Sequence, residues 1–224
     1  MDLPAAYQNN PFCVLGASAR NTREELMNKQ EELALFGDSA RSEPALSALL
    51  NPQMRLEAEM RWFPLMDETE IRSLLAFFSR HMEDTEMPET AVPSFLGQFN
   101  MLRLALSRLP FRTIGQGLAI LRSLAVAADP LLPRQVRDEI NEDRRAAGFP
   151  EIQDSAALDT RIADLLDETV RDFLDRMAAR IVPADFRDAA KQCRTMYKDT
   201  KSPYHNSYLL ELAANRLDTG GSGT

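Results

Sequence analysis

A row of acidic side chains in the C-terminal half of the chain has the spacing of a carboxylate metal site on a helix. Its members are Asp164, Asp167, Glu168, Asp172 and Asp175. Metal sites of this kind in helical bundles also use histidines that project from neighbouring helices. The chain has only two histidines, His81 and His205, and neither belongs to a Cys/His cluster with metal-ligand spacing. We therefore interpret the row as the solvated face of a long helix and predict no bound metal.

The cysteine, histidine and glycine patterns give no catalytic constellation. Cys13 and Cys193 lie near opposite ends of the chain in apolar or mixed segments, which favours reduced thiols at core positions. His205 stands at an expected helix start, where a packing or capping role is favoured over catalysis. The segment 115–117, "GQG", lies inside a helical pattern without the preceding strand that a dinucleotide-binding loop requires, so close helix packing is favoured. We predict that the protein is not an enzyme and holds no cofactor.

A basic stripe is the one predicted surface feature that opposes the overall charge. Its members recur at steps of three and four residues: Arg187, Lys191, Arg194 and Lys198. Phe186, Cys193 and Tyr197 would lie on the opposite, core-facing side of the same helix. An ordinary amphipathic helix accounts for this pattern, and the alternative is a docking face for an acidic protein or a nucleic-acid backbone. We retain the four basic residues as candidate partner-binding residues.

The segment "EMRWFPLM" forms an aromatic and methionine-rich corner that contains Trp62, the only tryptophan, beside Phe63. One interpretation is that this corner joins an N-terminal helical head to the helices that follow. The alternative is that it anchors a protein interface, since tryptophan is enriched among the residues that dominate binding energy. We therefore add Trp62 and Phe63 to the candidate partner-binding residues.

The overall composition is that of a globular protein and argues against two classes of partner. Apolar residues make up 44% of the 224 positions and charged residues 27%, which is ordinary for a folded chain. The net charge of −8 opposes general nucleic-acid binding, which needs a basic surface. The apolar stretch "GLAILRSLAVAAD" contains Arg122 and is shorter than the roughly 20 residues that span a membrane. No signal-peptide pattern opens the sequence, so we predict a cytoplasmic protein without a membrane partner.

The elements that must position these residues are helices throughout. The segment "NTREELMNKQEELALFG" begins with a capping residue, Asn21 or Thr22, and ends at Gly37. The clearest helix runs from Ser155 to Ile181, where apolar residues recur at steps of three and four. Prolines mark short connections, and the sequence lacks the alternating runs and Asn-Gly turns typical of β-hairpins. We predict an all-α protein in which a small helical head packs on a helical bundle.

Three segments near the N-terminus have the order and spacing of a known helical module. They are "PFCVLGAS", "TREELMNKQEELAL" and "ALSALLNPQMRLEAEMRWF". Over roughly residues 7–64 they resemble the J-domain, the DnaJ-type module, in its opening, its long second helix and the ending of its third helix. The ending is carried by Leu50, Asn51, Pro52 and Arg55. The closer resemblance is to the degenerate J-like heads of some bacterial proteins, which end in a tryptophan–phenylalanine pair.

The chain departs from the J-domain pattern at the residues that carry its activity. J-domains stimulate the ATPase of the chaperone Hsp70 through a His-Pro-Asp turn after the second helix and a basic face on that helix. The corresponding turn here is "ALFGDSARSEP", which contains Asp38 but lacks the histidine and the proline before it. The second helix carries more acidic than basic residues, so it would repel an acidic partner surface. We therefore expect no stimulation of Hsp70.

These observations predict an organisation and a class of function. Residues 1–66 would form a degenerate J-like domain, residues 67–218 a helical bundle domain, and residues 219–224 a flexible tail or an appended remnant. The expected function is that of a non-catalytic bacterial adaptor that assembles with a partner protein or a multi-subunit complex. The alternatives are an atypical Hsp70-associated co-chaperone and a nucleic-acid-associated accessory subunit that uses the helix around residues 187–198.

Overall fold

A computed structural model describes residues 4–80, 91–107, 113–178, 186–199 and 205–220. These ranges contain twelve α-helices and no β-strand, which confirms the predicted all-α class. The helices are α1 (Ala5–Gln8), α2 (Pro11–Leu15), α3 (Arg23–Leu35), α4 (Ser39–Leu50), α5 (Pro52–Met60), α6 (Glu68–Arg80), α7 (Phe95–Leu106), α8 (Ile114–Ala128), α9 (Pro133–Ala147), α10 (Ala156–Ala178), α11 (Phe186–Asp199) and α12 (His205–Gly220). In the part of the chain so described, no helix is both long enough and apolar enough to cross a membrane. His81 lies outside the described residues.

Side-chain caps fix the helix starts in the N-terminal region. Thr22 caps α3, since its hydroxyl accepts from the backbone N–H of Glu25 while the Glu25 carboxylate accepts from the N–H of Thr22. Asn21 instead accepts from the backbone N–H of Ser18, so Thr22 is the cap of the two predicted residues. Asn51 caps α5 directly after the end of α4. The chain therefore turns at short, well-defined connections, which brings the first five helices together.

The first hydrophobic core gathers the head around the aromatic corner. Its residues include Tyr7, Phe12, Leu26, Leu49, Trp62, Phe63, Met66, Leu74, Phe78 and Leu104. Helix α6 and part of α7 contribute to the same core as α2 to α5. The predicted division at residue 66 stays a prediction, and the hydrophobic core continues across it.

The second hydrophobic core lies between the later helices. It includes Leu121, Leu131, Ile140, Ile162, Leu166, Val170, Ala190, Leu210 and Ala213. The long α10 contributes the apolar residues that the sequence pattern predicts, and its described part ends at Ala178. In α8, a Cβ on Gly117 would lie 3.0 Å from the sulfur of Met177, so this glycine allows the close helix packing expected of the "GQG" segment. Gly115 has more space around it.

Candidate functional site

The structure places the aromatic corner inside the protein. Trp62 is 1% exposed and Phe63 is fully buried. Trp62 stacks on Phe12 with ring centroids 5.9 Å apart, and Phe63 stacks on Tyr7 at 6.1 Å. The choice of Trp62 and Phe63 as partner-binding residues therefore needs correction, because no partner can reach side chains that the head has already covered. Their geometry supports the other interpretation, in which the corner joins the head to the following helices.

The basic stripe lies on α11, and several of its charges have acidic neighbours. Arg194 donates to Asp218 of α12, and Lys191 lies 3.5 Å from Asp188 on its own helix. Lys198 is exposed, whereas the side chain of Arg187 lies outside the described residues. Cys193 is buried on the other side, as an amphipathic helix requires. The ion pairs reduce the positive field of the stripe, and its role in docking stays a prediction.

The acidic row on α10 is used in ion pairs with arginines. Glu168 binds Arg61 at 2.8 Å and lies 3.6 Å from Arg103, which ties α10 to the head and to α7. Asp167 binds both Arg171 and Arg216, and these contacts lower the pKa of its carboxyl group. No group of three or more histidine, cysteine or acidic side chains within the described ranges could hold a metal ion. Part of the row is therefore a set of interhelical links as well as a solvated face.

A buried ionic network begins at Arg55, the arginine of the J-like third-helix ending. This side chain is 1% exposed, and its guanidinium donates to Glu59 at 2.7 Å and to the carbonyl of Ala19 at 2.8 Å. The same guanidinium lies 3.6 Å from the ring centroid of Phe149, a cation–π contact. Arg55 therefore has a structural role in this chain, and it is inaccessible to a partner.

The network continues from the head into α9. Arg144 donates twice to Glu59, at 2.7 and 3.0 Å, so one buried carboxylate holds two buried arginines. The neighbouring Asp143 accepts from the backbone N–H of Leu65 at 2.9 Å and lies 3.6 Å from Arg20. Burial raises the pKa of Asp143 to about 6. These charged groups are paired with one another inside the molecule, and they fix the head against the bundle.

The turn between α3 and α4 is where large apolar side chains face solvent. Leu35 is 87% exposed and Phe36 is 82% exposed. The backbone below them is held by hydrogen bonds from the N–H groups of Phe36 and Asp38 to the carbonyl of Leu33. Gly37 adopts φ of 86°, a conformation that strains other residues, and ends the helix. We refer to residues 35–38 as the α3–α4 tip, which presents two apolar side chains on an ordered backbone.

The surroundings of the α3–α4 tip are acidic. Glu31 and Glu32 are exposed near the end of α3, and the last turn of that helix contains no basic residue. Acidic groups near a helix C-terminus are unfavourable, because the helix dipole is negative there. On the other side of the turn Asp38 and the exposed Glu43 are acidic and the exposed Arg41 is basic, so the net charge there is also negative. The tip is therefore an exposed apolar pair within an acidic surface.

The sequence analysis did not identify Leu35 and Phe36 as candidate residues. The signal was present in "LALFG", where bulky apolar residues come directly before a helix-ending glycine in an otherwise polar turn. The helical pattern alone could not separate these residues from the core-facing positions of the same helix.

No family model, curated protein or solved structure matches this chain. The resemblance of the N-terminal segments to J-domains consequently rests on their own motifs and on the order of α2, α3, α4 and α5.

Proposed function

We propose that this protein is a non-catalytic bacterial adaptor that binds a partner protein through the α3–α4 tip of a degenerate J-like head. The observation that carries this proposal is the exposure of Leu35 and Phe36, which at 87% and 82% are the most exposed large apolar side chains among the described residues. Burying a leucine or phenylalanine side chain contributes roughly 1.5–3 kcal/mol each. A partner that covers both side chains would therefore gain a large part of its binding energy at one small site.

The ordered backbone of the tip favours binding. A flexible apolar loop would lose conformational entropy when a partner fixed it. Here the helix-ending hydrogen bonds and Gly37 already hold the turn, so less entropy is lost. The tip is the part of the head best suited to act as an interface anchor.

The J-like order of helices also supports the α3–α4 tip as the binding site. A short helix, a longer helix, a tight turn and a third helix follow one another as α2, α3, the tip and α4. The tip occupies the position at which J-domains carry their His-Pro-Asp turn. In this chain the side chains at that position include Leu35 and Phe36, which are apolar and exposed.

A comparative capture experiment tests the proposal. The wild-type chain, the variant Leu35→Ser/Phe36→Ser and the control Met54→Ser/Val126→Ser would be used as bait in an extract of the native host. The control removes two exposed apolar side chains that lie elsewhere. We expect a stoichiometric partner that is captured by the wild type and the control, and whose affinity for the tip variant falls by at least about 10-fold. Equal capture by all three chains contradicts the use of the tip.

The position of the tip also favours one alternative, an Hsp70-associated co-chaperone that binds without stimulating ATP hydrolysis. Titration of the cognate Hsp70 with the wild-type chain and the tip variant separates the two functions. Tip-dependent binding to Hsp70 without a change in ATPase rate identifies the co-chaperone. A different tip-dependent partner, without Hsp70 binding, identifies the adaptor.

A further inference from the structure

A cavity of about 390 Å³ opens in the head between α2, α4 and α6. Its apolar wall is formed by Phe12, Trp62, Ile71 and Leu75. The thiol-bearing residue Cys13 also lines it, so we refer to it as the Cys13 cavity. Pockets for small molecules are usually about 300–1,000 Å³ and combine an apolar wall with a few polar groups. The Cys13 cavity lies at the lower end of this range.

The charged side chains that line the Cys13 cavity give it a net positive charge. Arg41 and Arg72 both line it, and neither forms an ion pair within the part of the chain that the structure describes. Arg41 donates one hydrogen bond to the backbone carbonyl of Gln8, at 3.2 Å, which leaves its charge unpaired. The lining carboxylate Glu68 is already held, since Lys29 and Asn21 each donate to it at 2.7 Å. A cavity with two guanidinium groups stands out in a chain of net charge −8. Its field favours an anionic ligand, and guanidinium groups pair well with carboxylates.

The aromatic side chains at the bottom of the cavity belong to the hydrophobic core. Phe12 is fully buried and Trp62 is nearly so, and both belong to the core of the head. These two residues lie beneath the cavity, and Val14, Ile71 and Leu75 supply apolar surface nearer to its opening. A cavity of about 390 Å³ favours a small molecule over a segment of another protein.

We propose that the Cys13 cavity binds a small organic acid, with its carboxylate between Arg41 and Arg72 and its apolar part against Val14, Ile71 and Leu75. The proposal does not depend on the α3–α4 tip. It assigns the head a ligand site in addition to the proposed protein-binding site.

Trp62 provides a direct readout, since it is the only tryptophan in the chain and lines the cavity. Titration of the native chain with octanoate should give a saturable change in tryptophan fluorescence. Octanol, which has the same chain length and no charge, should bind at least about 10-fold more weakly if the arginines recognise the carboxylate. Equal binding of octanol and octanoate overturns the proposal, because the arginines then have no part in recognition.

The arginines are tested with matched variants. Arg72→Gln, at an exposed position of α6, and Arg41→Gln/Arg72→Gln should weaken octanoate binding, the double variant by at least about 10-fold. The control Arg23→Gln/Arg122→Gln removes two exposed arginines that do not line the cavity and should bind like the wild type. Circular dichroism checks that each variant is folded. If Arg72→Gln is folded and binds octanoate as tightly as the wild type does, the proposed carboxylate position is wrong.

Cys13 gives an independent measurement, because it is partly exposed whereas Cys193 is fully buried. Burial raises the pKa of the Cys13 thiol and the nearby Arg41 opposes this shift, so alkylation by iodoacetamide should be followed at about pH 8.5. Octanoate should slow the alkylation of Cys13 in the wild type and not in Arg41→Gln/Arg72→Gln. Unchanged alkylation at saturating octanoate overturns the proposal. The tip variant Leu35→Ser/Phe36→Ser should still bind octanoate, so the two proposals can fail separately.

Discussion

The aromatic corner and the α3–α4 tip look alike in the sequence and differ completely in the folded chain. Trp62–Phe63 and Leu35–Phe36 are both pairs of large apolar residues at the end of a helix. The corner is covered because Tyr7 and Phe12 return to stack on it. No described segment returns to cover the tip. Burial of an apolar pair therefore depends on which distant segment of the chain packs on it, and the neighbouring residues in the sequence do not reveal this.

The largest expected effect comes from emptying the corner. Trp62→Ala should lower the free energy of unfolding by about 4 kcal/mol, because it removes a buried aromatic side chain and leaves a cavity. Urea unfolding followed by circular dichroism measures this change. Phe36→Ala serves as the control and should change the value by less than about 0.5 kcal/mol. Similar losses of unfolding free energy for the two variants would contradict the difference in burial between the corner and the tip.

The ionic network that fixes the corner against α9 should show the next largest effect. Glu59→Gln leaves Arg55 and Arg144 buried without their shared carboxylate, and we expect a loss of about 3 kcal/mol in unfolding free energy. Glu57→Gln on the same helix removes a partly exposed ion pair with Arg161 and should cost less than about 1 kcal/mol. A small, equal effect of both changes would show that the buried network does not hold the head.

Asp143 makes the same junction sensitive to pH. Its folded-state pKa of about 6 lies above the ordinary value of 3.8, so the folded chain binds the proton more tightly than the unfolded chain. The contribution of this group to stability should therefore be greatest below about pH 4 and fall by about 3 kcal/mol as pH rises through about 6. Unfolding free energies of the wild type and Asp143→Asn, compared across this range, isolate the effect. A difference that does not vary with pH would contradict it.

The smallest effect on stability is expected at the tip. Leu35→Ser/Phe36→Ser should change the free energy of unfolding by less than about 0.5 kcal/mol, because neither side chain is buried on folding. Leu26→Ser, a change at a buried position of the same helix α3, should cost several times more. Thermal and urea unfolding of the wild type and the two variants measures both changes and separates an exposed anchor from a residue of the core. A strongly destabilised tip variant would place the tip within the core.

Much of the fold could be predicted because its signals are local. The capping residue Thr22, the helix-ending Gly37 and the apolar spacing of α10 each act within a few positions, and the structure contains all three. The close packing at Gly117 also agrees with the prediction from its helical surroundings.

The candidate site could not be predicted, since its contacts join distant parts of the chain. Arg55 lies in a segment that resembles the third-helix ending of J-domains, but its burial depends on Glu59, Ala19 and Phe149. The two guanidinium groups of the Cys13 cavity come from α4 and α6, and nothing in their spacing relates them. The same limit applies to Leu35 and Phe36, whose helical pattern does not show which face stays uncovered.

The ion pair between Glu59 and Arg144 has a consequence for the order of folding during synthesis. Its two residues are 85 positions apart, so Glu59 leaves the ribosome well before its partner exists. At about 5–20 residues per second, several seconds pass before α9 can close the network. Until then Glu59 can pair with Arg55 on its own helix, while the second arginine, Arg144, is absent. The junction between the head and α9 is thus expected to close late, after the N-terminal helices have been synthesised.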